Sequence, residues 1–267
     1  MGVESGFAAV NGTRLYYEVA GEGTPVALIH GFTLDTRMWD DQFLPLAAHY
    51  RVVRYDARGF GRSDLPTGEP YSPHDDLRAL LEHLGLGPAA ITGLSMGGGI
   101  AADFAIAHPD ATRALVLLDA ALGGHRFSPG WGAASKPIWA AAREEGVAAA
   151  KERWLAHDLF APAHEQPAVA ARLATIVGDY SGWHWLNRDT ARGVEPPALA
   201  RPNAITAPTL AIIGERDVPD FHAMAATLKE GLPNARLVTI PGVGHMANME
   251  APQAVNRAIL DFLRDVL

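Results

Sequence analysis

The pentapeptide Gly93-Leu94-Ser95-Met96-Gly97, set between a short apolar run and a helical one, constrains the fold more than any other stretch of the chain. Ala89-Ala90-Ile91-Thr92 has the character of a short buried strand, and Met96 through His108 that of a helix stopped by Pro109. A serine at that junction sits on a sharp backbone turn. Positions two before and two after it then lie close to neighbouring backbone, which only glycine tolerates well. Gly93 and Gly97 stand there, and Ser95 becomes a candidate nucleophile held beyond a strand end. The pattern by itself arises by chance in roughly one chain in ten of this size, so its partners decide its meaning.

The flanking sequence repeats strand, loop and helix. Phe7 to Val10, Asn11-Gly12 and Thr13 to Val19 read as a hairpin. Val26-Ala27-Leu28-Ile29 is a continuous apolar run ending in His30-Gly31, as expected of a strand covered on both faces. A helix is expected from about Thr36 to His49, then a strand from Arg51 to Tyr55 and the glycine-broken loop 56–64. Ser72 as N-cap and Pro73 open another helix, with Leu77, Leu80, Leu81 and Leu84 on one face. Ala114 to Leu118 is a strand ending at Asp119. For the next eighty residues the rhythm fails: the chain is alanine-rich and helical, with no convincing buried strand. Strand grammar returns at Thr209 to Ile213 and Arg236 to Ile240, with helices around His222 to Leu232 and from about Gln253. These alternations predict an α/β fold, a mostly parallel twisted sheet with helices on both faces and an N-terminal hairpin. Residues 1–120 and 201–267 would form the core, with a helical cap of residues 121–200 inserted after the fifth strand of the parallel part.

Composition removes several function classes. The formal net charge is −8, and no Lys/Arg run is present, so neither nucleic acid nor an anionic membrane is an expected partner. Without cysteine there is no disulfide or thiol chemistry, and the fold needs no oxidising compartment. The N-terminal stretch Met1-Gly2-Val3-Glu4-Ser5 lacks a basic segment followed by an apolar run, and no run approaches eighteen apolar residues. A cytoplasmic protein is expected, monomeric or homo-oligomeric.

In an open parallel sheet, functional groups gather beyond the carboxyl ends of the strands. The polar residues directly following expected strands are His30, Asp56, Ser95, Asp119, Asp217 and His245. A serine needs a base to take its proton and a third group to orient that base. Ser95, His245 and Asp217 supply the combination, with Asp119 and Asp220 as competing carboxylates. His30 reads as an orienter of its loop and as a candidate pocket residue. Arg58 and Asp64 are expected to tie the glycine loop together. His74, His83 and His157 show no metal-ligand spacing and are expected to be solvated. Gly59-Phe60-Gly61 follows a strand as a dinucleotide fingerprint would, but Asp64 holds the third glycine position, where its charge would repel a pyrophosphate. No cofactor or metal site is read.

The chain order Ser, Asp, His matches that of α/β-hydrolases. Gly93 to Gly98, His30-Gly31-Phe32, Asp56 with Arg58-Gly59-Phe60-Gly61-Arg62-Ser63, Gly214-Glu215-Arg216-Asp217, and Gly244-His245 with Glu250-Ala251-Pro252 together resemble the α/β-hydrolase superfamily. The similarity is nearest to its small bacterial carboxylesterases and the enol-lactonase and perhydrolase branches. The resemblance implies acyl transfer through an ester on Ser95, with His245 as base and Asp217 as its orienter. The backbone N–H groups of Phe32 and Met96 would form the oxyanion hole. Five of the six tryptophans fall in the insertion, and Trp131, Trp183 and Trp185 are the expected pocket rings. An apolar cleft favours neutral esters or lactones. A carbon–carbon bond hydrolase or cofactor-free perhydrolase using the same triad is the alternative, and a hydrolase-fold ligand receptor a further one.

Overall fold

Strands rich in Val, Ile, Leu and Ala, buried on both faces, build the centre of the molecule. A computed structural model of the chain describes residues 2–232 and 234–267; Met1, part of the N-terminal stretch read above, and Pro233 lie outside them. Strands β1 (Val3–Val10) and β2 (Thr13–Ala20) form the expected hairpin. Its two-residue turn has Asn11 at φ 46° and Gly12 at φ 72°, the left-handed pair that matches the twist of the flanking strands. Then follow β3 (Pro25–Ile29), α1 (Asp40–Ala47), β4 (Arg51–Tyr55), α2 (Pro73–His83), β5 (Ala89–Leu94), α3 (Met96–Ala107) and β6 (Thr112–Leu118). The insertion carries α4 (Pro129–Glu144), α5 (Val147–Leu155), α6 (Ala161–His164), α7 (Pro167–Asp179) and α8 (Trp183–Leu186). The chain closes with β7 (Thr209–Gly214), α9 (Pro219–Gly231), β8 (Arg236–Ile240), α10 (Ala247–Glu250) and α11 (Pro252–Val266).

The eight strands lie in the order β1-β2-β4-β3-β5-β6-β7-β8. All neighbours from β4 onward pair in parallel, whereas β2 runs antiparallel to β4. The insertion therefore follows four parallel strands and not five, because β2 belongs to the antiparallel edge. From β3 the chain steps outward to β4 and then back across to β5, so the strand order reverses between β3 and β5. A crevice opens where the chain reverses in this way. Helix α11 shows why the layers hold: Val255, Ile259, Phe262 and Leu263 recur at helical spacing and are all buried. The expected helix from Thr36 is split, a 3-10 turn over Thr36–Trp39 preceding α1. At α2, Ser72 is the capping residue by position, but its side chain makes no capping bond.

Candidate active site

Ser95 adopts φ 53°, ψ −118°, a backbone conformation that residues other than glycine rarely take. Three backbone bonds hold it there. Its N–H donates to Leu118 O at 3.0 Å, and its carbonyl accepts from Gly99 N at 3.1 Å and Ala121 N at 2.9 Å. A Cβ on Gly93 would overlap the Gly97 carbonyl, and one on Gly97 would overlap the Ile29 and His30 carbonyls. The turn thus requires both glycines, and strain of about 1–3 kcal/mol at the serine is offset by the fixed backbone around it.

His245 lies in the loop between β8 and α10. Glu250 pins that loop from both sides of the histidine: Oε2 accepts from Gly244 N at 2.8 Å and Oε1 from Met246 N at 3.1 Å. The imidazole Nδ1 lies 2.9 Å from Asp217 Oδ2, and Asp217 Oδ1 accepts from Val218 N at 2.7 Å. A carboxylate accepts, so Nδ1 carries the proton and Nε2 offers its lone pair. Nε2 is buried without a hydrogen-bond partner. His245 and Ser95 line the same cavity.

The three competing carboxylates are separated by their partners. Asp119, at φ 42° after β6, accepts from Gly214 N at 2.8 Å through Oδ1, while its Oδ2 has no partner. Burial, reinforced by the charge of Asp217, pushes its carboxyl far above the usual carboxylate range. Asp220 accepts from His125 Nε2, Ser128 N and Ser128 Oγ at 2.7–2.9 Å, fastening the start of the insertion to α9. Only Asp217 meets the imidazole. One ligand-type atom each of Asp119, Asp217 and His245 lie within 4.8 Å of one another, but a metal there would compete with the Nδ1–H that Asp217 holds.

On the opposite wall, β3 delivers His30-Gly31-Phe32. His30 Nε2 accepts from Ala57 N at 2.9 Å and Nδ1 sits 2.8 Å from Gly31 O, so this ring brackets two loops from below. Contrary to expectation it does not line the cavity; it is fully buried. Phe32 and Met96 both line it, and Met96 is the first residue of α3, where backbone N–H groups lack intrahelical partners. The Phe32 ring lies within 6.3 Å, centroid to centroid, of Phe60, Trp139, Trp154, Tyr180, His184 and Trp185. Burial pushes His184 down to about 4. The glycine loop is held chiefly by Asp56, which accepts from Thr36 N and Arg62 N at 2.8 Å. Arg58 instead pairs with Asp76, and Asp64 with Arg14.

The cavity measures about 280 Å³, and no Lys, Arg, Asp or Glu among the described residues lines it. Its rings are Phe32, Phe127, Trp131, Trp139, Trp154, Phe160 and Phe221. Of the expected tryptophans, Trp131 is among them. Trp185 is not, being fully buried against Tyr180 and Phe32, and Trp183 lies outside, edge-on to His184. Trp131, Ser135 and Trp139 share one face of α4 at four-residue spacing, a signal present in the sequence. His83 is exposed as expected, but His74 and His157 are buried, and burial pushes both down.

A profile of the alpha/beta hydrolase fold matches residues 24–252. This chain belongs to the α/β-hydrolase family. The hydrolase is 30% identical over 265 residues to 2-hydroxy-6-oxononadienedioate/2-hydroxy-6-oxononatrienedioate hydrolase 1 of Dechloromonas aromatica, covering 94% of this chain and 90% of that one. The solved enol-lactonase of Burkholderia xenovorans superposes on it with a TM-score of 0.83 at 29% identity, over 97% of this chain and 100% of the other. A thermophilic esterase of Thermogutta terrifontis does so with a TM-score of 0.82 at 30% identity, covering 98% and 99%. No helix among the hydrolase's described residues is long and apolar enough to cross a membrane.

Proposed function

We propose that this hydrolase cleaves carboxylic esters or lactones of small, largely apolar substrates through an acyl-enzyme on Ser95. One observation carries the reading. The unpartnered Nε2 of a histidine held by Asp217 lies at the wall of the same apolar cavity as a serine on a strained turn. His245 Nε2 takes the hydroxyl proton as Ser95 Oγ attacks the substrate carbonyl, and Asp217 keeps the imidazole in the required tautomer and stabilises the imidazolium. The backbone N–H groups of Phe32 and Met96 receive the oxyanion; loss of one such donor typically costs about 10²–10³ in rate. His245 then returns the proton to the departing alcohol, or to the ring oxygen of an opened lactone, and activates the water that releases the acid.

The cavity lining supports neutral substrates. A charged acyl group would be desolvated there with no opposing side-chain charge. The Dechloromonas relative is named for a dioate, a dianion, so carbon–carbon bond hydrolysis of such a substrate ranks second.

The deciding experiment treats purified protein with a fluorophosphonate and assays a panel of aryl acetates, lactones and diketones. A single adduct on Ser95 with turnover of esters or lactones is expected. Labelling that survives Ser95→Ala, or diketone cleavage without ester turnover, would reject the assignment.

A further inference from the structure

Asp119 is a buried carboxyl that the acyl-transfer steps leave unused, and it lies against the group that aims the base. It follows β6, at φ 42°, and is 1% exposed. Its Oδ1 is satisfied by Gly214 N, at the end of β7. Its Oδ2 has no donor. The groups that face it are Asp217 from the loop after β7, Glu250 from α10 and, through Asp217, His245. Among the described residues no Lys or Arg bonds to these carboxyls, Arg216 attracting Glu250 only at longer range: Glu250 is occupied by two backbone N–H groups and Asp217 by His245 and Val218 N.

A water is a poor alternative partner for the free oxygen. The void beside Asp119 is about 10 Å³ and is walled by apolar residues including Leu117, Leu122, Ile212 and Leu228. That volume is at the threshold of about 10–15 Å³ for a water, but a buried water also needs two or more polar partners, which these apolar walls do not supply. Two ionised carboxyls in such surroundings, with ligand-type atoms within 4.8 Å, would repel strongly. A proton on Asp119 Oδ2 removes the repulsion and turns the orphaned acceptor into a donor. Asp217, which already accepts from two N–H groups, is the natural anion of the pair.

We propose that Asp119 is a neutral carboxylic acid at working pH and a positioning residue, donating from Oδ2 to the Asp217 carboxylate and thereby fixing its orientation toward His245. The Asp119–Asp217 pair then carries one negative charge, which balances the single positive charge of the imidazolium formed during acyl transfer. This part rests on the serine-hydrolase reading; the protonation itself does not.

Three measurements test it. In infrared difference spectra at neutral pH, wild type against Asp119→Asn, a protonated-carboxyl band that shifts in D₂O should be lost with the side chain. A difference confined to carboxylate bands overturns the proposal. Carbon-13 carboxyl NMR of the unmodified protein reads the same state without any variant: the Asp119 signal should stay at its protonated position from about pH 5 to 8, and an ionised signal there overturns it.

The third measurement is the pH profile of kcat/KM. Asp119→Val removes the donor and should lower kcat by about tenfold or more, the usual effect of losing a hydrogen bond to a charged group. Asp119→Asn, whose amide N–H can replace the hydroxyl, should recover most of that loss and keep the acid limb of the profile in place. If Asp119 were ionised, Asp119→Asn would delete a charge and move that limb down by about two pH units at an effective dielectric near 20. Asp217→Asn assayed in parallel separates the failures: intact turnover there sinks the triad, while the spectra still decide where the proton is.

Discussion

Trp154 Nε1 donates a 2.7 Å hydrogen bond to Thr33 Oγ1, joining the insertion to the loop that carries Phe32. Thr33 in turn donates from Oγ1 to Phe32 O at 2.6 Å and holds φ 64°, an unusual conformation for a β-branched residue. The carbonyl and N–H of the residues around Phe32 are thus oriented from above by a side chain of the insertion as well as from below by His30.

Trp154→Phe keeps the ring in the cluster and deletes the bond. Turnover of an aryl ester should fall about three- to tenfold through kcat, the range for one neutral hydrogen bond. Thr33→Val should do the same, and the double variant little more than either single one, because they break one chain. Steady-state kinetics on the three variants decide this; fully additive losses would show that the two side chains act separately.

Asp217→Asn leaves the packing intact but presents an amide to Nδ1, favouring the wrong tautomer of His245. A loss of about 10⁴ in kcat is expected, by analogy with the corresponding change in serine proteases. Retention of a tenth of the activity in a folded variant would exclude Asp217 as the orienting acid.

Gly97→Ala places a methyl group against two carbonyl oxygens of the β3 end, which are backbone atoms and cannot swing away. Destabilisation at or above the upper end of the usual 1–3 kcal/mol for overpacking is expected, about 6–12 °C in melting temperature for a domain of this size. Thermal denaturation measures it, and an unchanged midpoint would mean that the turn relaxes freely.

Asp103 on α3 is pushed up to about 6 by burial, with only Val194 N among the described residues donating to it at 3.3 Å. The folded protein therefore binds this proton more tightly than the unfolded chain does, so the group's favourable contribution is complete below about pH 4 and lost as pH rises through about 6. Above that, a charge only partly offset by Arg201 and the Val194 N–H remains. Asp103→Asn should stabilise the protein at pH 8 by about 1–2 kcal/mol, after discounting for partial exposure, and by nothing at pH 4. Urea titrations at the two pH values provide the measurement; an equal gain at both would place the effect elsewhere.

The strands and the serine turn were legible because their signals are local: an apolar run, a glycine at a fixed offset, a proline after a helix. His245 and Asp217 could be picked out because both follow strands. Which tryptophans face the cavity was harder. Trp185 and Trp154 are both buried, and whether such a ring meets the cavity or the body depends on how α5 and α8 pack, which no window of sequence encodes. Trp139 was legible in principle, eight residues after Trp131 on α4. Asp119 gave no local sign of its role, since it acts on a group brought to it by the fold, whereas Glu250 acts within its own loop, on Gly244 N and Met246 N. The strand count before the insertion failed at β2, whose alternating pattern does not reveal which neighbour it will join.

The crowding of aromatic rings around Phe32 has a further consequence. Five of its six neighbours, Trp139, Trp154, Tyr180, His184 and Trp185, belong to the insertion. Removing residues 121–200 to obtain a minimal enzyme would therefore do more than open the cleft to water. It would strip the support from the very peptide unit proposed to receive the nascent negative charge, so trimming this scaffold and preserving that proposed chemistry are incompatible goals.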